Sequence, residues 1–173
     1  LGPDETKWAP HDATLLMRKR GFDGPMLIDQ GSADQFIDLL KPEALAEARK
    51  ADKPILLSMG YAGCHWCQVL NREAFSNPEI AAQINDNFIP ILADREERPD
   101  LDMLYQGAAG IMQHPGGWPL NIFLTPEGLP WWVTGYQPPT DQPENPSFGH
   151  VISDCVDLWK NDRARADDTA GKI

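Results

Sequence analysis

Apolar positions recur along this chain with two different spacings, and the switches between them mark out its elements. Phe36, Leu39, Leu40, Ala44 and Ala48 follow helical spacing, with Pro42 as a kink or a new start and Lys53-Pro54 as the stop. The apolar run Ile55-Leu56-Leu57-Ser58-Met59 has the length of a buried central strand. A glycine-bearing turn follows, and then a helix predicted from Gln68 to Phe75. Asn77-Pro78-Glu79 combines an N-cap, a proline at the first helical position and an acid in the first turn, and it opens a helix with Ile80, Ile84 and Phe88 on one face. Phe88 to Ala93 reads as a second strand, in which Pro90 removes one ladder hydrogen bond.

Pro99 to Met112 reads as an amphipathic helix with Leu101, Leu104, Tyr105, Ala108 and Met112 on its apolar face. Leu120 to Leu124 is a third strand. Thr125-Pro126-Glu127-Gly128 is a turn by its residue chemistry, and Trp131 to Val133 is a fourth strand, paired with the third as a hairpin. Alternation along that strand sends one of Trp131 and Trp132 to the core and exposes the other. The stretch 137–147 holds four prolines and reads as a loop. A last helix carries Phe148, Val151, Ile152, Cys155, Leu158 and Trp159, then frays into a charged tail. The expected organisation is an irregular extension over 1–35, with a short strand at Pro25–Ile28, a domain over 36–160 and a tail over 161–173. The order strand–helix–strand–helix–hairpin–helix is α/β with a mixed sheet.

Composition narrows the partners. The 173 residues are enough for one domain with a full core, and the hydrophobic share of 42% and charged share of 24% are ordinary for a globular protein. A net charge of −11, with Arg18-Lys19-Arg20 as the basic run, argues against nucleic acid or an anionic membrane surface as partner. No apolar stretch approaches the roughly 20 residues of a membrane helix, and no signal-peptide core is visible. A start at Leu1 is expected of a processed chain or of a segment of a longer one, which leaves both a cytoplasmic and an exported location open.

Cys64-His65-Trp66-Cys67 carries the chemistry. Two thiols three positions apart lie where a strand hands over to a helix, the arrangement of a redox C-x-x-C. Backbone N–H groups at a helix start favour thiolate, which attacks disulfides, and a thiol one turn on resolves the mixed disulfide. Cys64 is the expected nucleophile, its sulfur toward solvent, and Cys67 the resolving thiol. His65 is either a donor or cation that stabilises the thiolate, with Trp66 beside it, or a solvent-facing helix residue. A structural clip over so short a loop removes little chain entropy, and a four-cysteine zinc site needs a second C-x-x-C. A copper or zinc carrier using Cys64, His65, Cys67 and His114 suffers from the divergence of about 100° between adjacent helix residues. Gln68 excludes c-type haem attachment, and no cofactor is expected. The third cysteine, Cys155, is expected to be a buried and inert thiol.

With these motifs in place, the chain resembles the thioredoxin superfamily. From Lys53 to Pro139 it is most similar to the thioredoxin-like domain of the spermatogenesis-associated protein 20 family, DUF255. The similarity lies in Lys53-Pro54-Ile55-Leu56-Leu57-Ser58, Gly60-Tyr61, Cys64-His65-Trp66-Cys67, Asp94-Arg95-Glu96-Glu97-Arg98-Pro99-Asp100, Gly116-Gly117-Trp118-Pro119-Leu120 and Phe123-Leu124-Thr125-Pro126. The resemblance implies a thioredoxin fold in which Trp118-Pro119 is cis and packs beside the cysteines. Gly117, Trp118 and Pro119 would then receive a peptide substrate as a short added strand. Residues 1–35 do not resemble the family's usual lead-in, 173 residues leave no room for the helical-barrel domain that usually follows, and Gln68 replaces a common histidine.

Many thioredoxins carry a buried acid six residues before the first cysteine as a proton relay. Here that position is Ser58, so Asp94 or Glu96 becomes the relay candidate. The competing reading of 94–100 is a solvated charge run in which Arg95 and Arg98 pair locally. The expected activity is thiol–disulfide exchange with protein or small thiol partners. Its alternatives are a non-catalytic module that docks a partner through Trp66, Trp118 and the 94–100 stretch, or a metal carrier. The direction of electron flow is open, because the helix start and His65 favour the oxidising side while the carboxylates oppose it.

Overall fold

The computed structural model describes residues 42–173. The predicted strand at Pro25–Ile28, the 1–35 extension and the helix positions Phe36, Leu39 and Leu40 lie outside the described residues. Ten elements follow in order: α1 (Pro42–Ala51), β1 (Ile55–Gly60), α2 (His65–Leu70), α3 (Pro78–Asn87), β2 (Ile89–Asp94), α4 (Pro99–Ile111), β3 (Leu120–Leu124), β4 (Pro130–Thr134), α5 (Phe148–Asn161) and α6 (Arg163–Ala170). A π-helical turn, Asn71–Phe75, continues α2.

The described strands form one mixed sheet in the order β2-β1-β3-β4. β1 runs parallel to β2, with Gly60 opposite Asp94, and antiparallel to β3, with Ser58 opposite Asn121. β3 and β4 form the antiparallel hairpin, with a register slip at Phe123/Leu124. Pro90 is accommodated because β2 lies at the edge of the described sheet.

Alternation along the buried strands supplies two cores. Ile55, Leu57 and Met59 face one side and pack with Ala44, Leu45 and Ala48 of α1 and Leu101, Tyr105 and Ala109 of α4. Leu56, Leu92, Phe123 and Trp131 face the other and pack with α2, α3 and α5 through Leu70, Ile84, Phe148 and Ile152. The sheet is therefore covered by helices on both faces, the α/β arrangement expected of a thioredoxin fold.

Three local expectations differ from the structure. The helix after the cysteines starts at His65 rather than Gln68, because Cys64 itself is the N-cap. Its second half is the π-helical turn, a widening that apolar spacing cannot distinguish from α-helix. The expected charged tail contains α6, whose Ala166 and Ala170 are buried in the second core. Arg163 anchors that helix, its guanidinium 3.4 Å from the Trp159 ring centroid and 3.2 Å from Asp52. As alternation predicts, Trp131 is buried while Trp132 is 38% exposed.

Candidate redox site

The β1–α2 junction is held by a short series of hydrogen bonds. The Cys64 N–H donates to the Tyr61 carbonyl at 3.1 Å, which closes the turn after Gly60. The Gln68 side chain donates to the Ala62 carbonyl at 3.0 Å and ties the same turn to α2. Cys64 is extended (φ −77°, ψ 106°), as an N-cap residue should be, and its Sγ accepts the Cys67 N–H at 3.1 Å. Cys64 and Cys67 are joined by a disulfide, with Cα atoms 5.3 Å apart. Both residues are nearly covered, at 5% and 4% exposure, so the outward Cys64 sulfur expected from sequence is not what this oxidised pair presents. Bonded to Cys67, that sulfur is drawn back over the first turn of α2.

Two aromatic groups include residues of this junction, Trp66 in one and Tyr61 in the other. On α2, Trp66 is half exposed, with the His65 ring centroid 5.3 Å and the Tyr136 ring centroid 4.7 Å from its own. The Tyr136 hydroxyl donates to Glu73 at 2.8 Å. Burial and that carboxylate hold the phenol above its usual range. His65 is exposed and packs edge-on against Trp66.

The second group is built on Trp118. The Trp118–Pro119 peptide bond is cis, and Pro119 is buried at the entry to β3. The Trp118 indole N–H donates to Asp102 at 2.7 Å, and its ring meets Tyr61 edge-on at 5.7 Å. Gly117, with φ +95°, has both backbone groups taken by Gln106: its N–H donates to Oε1 and its carbonyl accepts from Nε2, each at 3.1 Å. Gly117 is thus an engaged turn residue. The N–H and carbonyl of Trp118 make no hydrogen bond among the described residues.

Ser58 and its surroundings are neutral. Its hydroxyl donates to Asn121 Oδ1 at 2.7 Å, and the Asn121 amide donates to the Gly135 carbonyl at 2.9 Å. Of the two relay candidates, Asp94 is buried opposite Gly60, and its Oδ1 accepts the Glu96 N–H at 2.8 Å. Burial raises the Asp94 carboxyl above the ordinary carboxylate range, against the pull of that N–H. Glu96 is exposed.

His114 accepts the Gly116 N–H on Nδ1 at 3.1 Å, and burial lowers its pKa. Among the described residues no three His, Cys, Asp or Glu side chains come together as a metal site, so His114 does not complete the set proposed with Cys64, His65 and Cys67. Cys155 is buried, and burial pushes its thiol far up.

Within 94–100, local pairing holds for Arg98, which grips Asp100 at 3.0 and 2.8 Å. It fails for Arg95, whose guanidinium lies over Trp118. Asp102, Gln106 and Tyr136 escaped the sequence reading, and Tyr61 entered it only within the stretches that carry the resemblance. The spacing of Asp102 and Gln106, i and i+4 on α4, was the available signal that one polar stripe faces a common target.

This topology, with a cysteine pair at the β1–α2 junction, defines a thioredoxin-like domain. A solved structure titled "DsbH Oxidoreductase" has the same fold, with a TM-score of 0.50 and 18% identity over 82% of this chain and 90% of that one. The family model described as "Protein of unknown function, DUF255" (Thioredox_DsbH) matches residues 30–173, and the chain belongs to this family. Spermatogenesis-associated protein 20 of Rattus norvegicus is 41% identical over 121 residues, covering 70% of this chain and 15% of that protein. The chain therefore spans a small part of that relative's length. S-formylglutathione hydrolase of Paracoccus denitrificans is 52% identical over 64 residues, which make up 35% of this chain and 23% of that protein. No helix among the described residues is long and apolar enough to cross a membrane.

Proposed function

We propose that this domain exchanges disulfides through Cys64 and Cys67. In the reducing direction the Cys64 thiolate attacks one sulfur of a substrate disulfide and expels the other as thiolate. Cys67 then loses its proton and attacks the Cys64 sulfur of the mixed disulfide. The Cys64–Cys67 bond forms, two electrons pass to the substrate, and the second substrate thiol leaves; oxidation is the same path reversed. The observation that carries this reading is the N-cap geometry, in which the Cys67 N–H points at the Cys64 sulfur and favours its thiolate.

Asp94 is the proton acceptor for Cys67 in this reading. It is buried at the end of the strand paired with β1, and its raised pKa suits proton transfer better than an ordinary surface carboxylate does. The substrate's backbone pairs with the unengaged N–H and carbonyl of Trp118, between the Trp66–Tyr136 and Tyr61–Trp118 walls. The DsbH and disulfide isomerase titles among chains of the same fold agree with this activity.

The test is turnover. The chain should speed the thiol-driven reduction of a protein disulfide such as insulin's, and Cys64→Ser should abolish the acceleration. Equal rates with and without Cys64 would remove the enzymatic reading and leave a binding module.

A further inference from the structure

Arg95 occupies an unusual place for a cation in an acidic chain. Its backbone N–H donates at 2.8 Å to the carbonyl of Gly60, the last residue of β1. Its guanidinium lies 4.1 Å from the Trp118 ring centroid and 5.7 Å from that of Tyr61, whose carbonyl holds the Cys64 N–H. A positive charge therefore stands beside the turn that leads into the disulfide, over the ring of Trp118, whose backbone is unengaged.

The guanidinium is held in place but not used up. Asp102 is one carboxylate near it, with Oδ2 3.5 Å from Arg95 Nε, while Asp102 Oδ1 is committed to the Trp118 indole at 2.7 Å and to Gln106 at 3.4 Å. The Asp94 carboxylate also feels the Arg95 charge, without an ion-pair contact. Nε is buried without a hydrogen bond, yet the side chain as a whole is 37% exposed. Neither terminal nitrogen is among the buried unpartnered atoms, and neither makes a hydrogen bond among the described residues. Arg98 shows the contrast: its side chain is 3% exposed and grips Asp100 with two hydrogen bonds. A planar guanidinium set against an aromatic face, with its terminal fork free of hydrogen bonds, matches a carboxylate in geometry as well as charge.

Building on the exchange reaction, we infer that Arg95 is a specificity residue that anchors a substrate carboxylate beside the reacting disulfide. The selected substrates are cysteine disulfides with a carboxylate close to the sulfur. That carboxylate is supplied either by an acidic residue neighbouring the cysteine in a peptide or by a small cysteinyl disulfide such as glutathione disulfide.

The experiment compares exchange rates of the reduced chain with paired substrates: a disulfide-bridged peptide with Glu beside its cysteines against the same peptide with Gln, and glutathione disulfide against its carboxylate-esterified form. At low salt the acid member of at least one pair should react about tenfold faster, the low end for a charge-assisted hydrogen bond. Which pair shows the effect identifies the source of the carboxylate. Arg95→Gln should bring the ratio within a pair to about one. Arg95→Lys, a point charge without the fork, should keep only part of it. High salt should shrink the ratio in the unsubstituted chain, a readout that needs no variant to fold. Ratios near one for both pairs, or ratios indifferent to salt and to Arg95→Gln, would overturn the inference while leaving disulfide exchange in place. Absence of exchange with all four substrates would overturn the exchange reading and this inference with it.

Discussion

The Cys67 backbone N–H donates to the Cys64 Sγ at 3.1 Å, so the N-cap of α2 is a sulfur atom. A Ser or Asp in that position would be an ordinary cap; a cysteine places its thiolate where a cap's acceptor oxygen would lie. Exposure does not distinguish the two cysteines, at 5% and 4%, but this hydrogen bond does. After mild reduction near neutral pH, iodoacetamide should label Cys64 first, with half-maximal labelling below the free-thiol value of about 8.5. Cys155, buried and with its thiol pushed up, should remain unlabelled until the chain unfolds. Peptide mapping checks the order, and first labelling at Cys67 or Cys155 would reverse the assignment.

Cys67→Ser should convert the domain into a trap. The attacking thiol stays at the N-cap, while the intramolecular route out of the mixed disulfide is removed. Incubation with a disulfide substrate should yield a covalent adduct through Cys64, visible by non-reducing electrophoresis and released by dithiothreitol. The double variant Cys64→Ser/Cys67→Ser should yield none.

Trp118 is held by a carboxylate that is itself buried. The indole N–H donates to Asp102 at 2.7 Å, with Gln106 at 3.4 Å from the same oxygen. Asp102→Ala leaves that N–H without its partner and releases one wall of the site. The expected loss is about 1–3 kcal/mol in urea unfolding, together with a change in tryptophan fluorescence. Asp102→Asn keeps an acceptor and should lose less. Equal losses for the two would show that packing, not the hydrogen bond, fixes the indole.

The strands and four of the helices, α1, α3, α4 and α5, were legible because each has an apolar period that one face of the sheet requires. Ile55-Leu56-Leu57 reads as buried on both sides, and it is. Asn77-Pro78 marks the start of α3 because the cap is local chemistry, with Asn77 Oδ1 accepting the Glu79 N–H at 2.9 Å. What stayed hidden depends on residues far apart in the chain. Nothing in the neighbours of Arg95 announces that Trp118 will lie under it, so a charge run reads as solvated. α6 was hidden for another reason: in Arg-Ala-Arg-Ala-Asp-Asp-Thr-Ala only alanines are apolar, so its buried stripe carries almost no hydropathy signal.

That stripe can be tested. Ala166 is 1% exposed and belongs to the core that holds Trp131 and Trp159. Ala166→Glu forces a carboxyl group into that packing and should cost at least about 1–3 kcal/mol in denaturant unfolding, the range for a buried polar group without a partner. Asp168→Ala, on the exposed side of the same helix, should stay within about 0.5 kcal/mol. If Ala166→Glu is equally harmless, residues 163–170 behave in solution as the free tail expected from composition.

Asp94 makes the pH prediction. Its carboxyl is raised by burial, so across a window that begins at the ordinary carboxylate value of about 3.9 the folded chain binds more protons than the unfolded one. The sign follows: the Asp94 contribution to stability falls as pH rises through the window up to the raised folded pKa, and the penalty persists above it. Asparagine keeps an oxygen to accept the Glu96 N–H but carries no charge to desolvate. Asp94→Asn should therefore gain in urea midpoint relative to the unsubstituted chain on going from pH 3 to pH 7. A relative gain in the opposite direction would mean that the carboxylate is favoured in the folded state. The same variant separates structure from chemistry. If Asp94 accepts the Cys67 proton, Asp94→Asn should slow resolution of the mixed disulfide and flatten its pH profile despite the added stability, whereas Glu96→Gln, at an exposed position, should change neither.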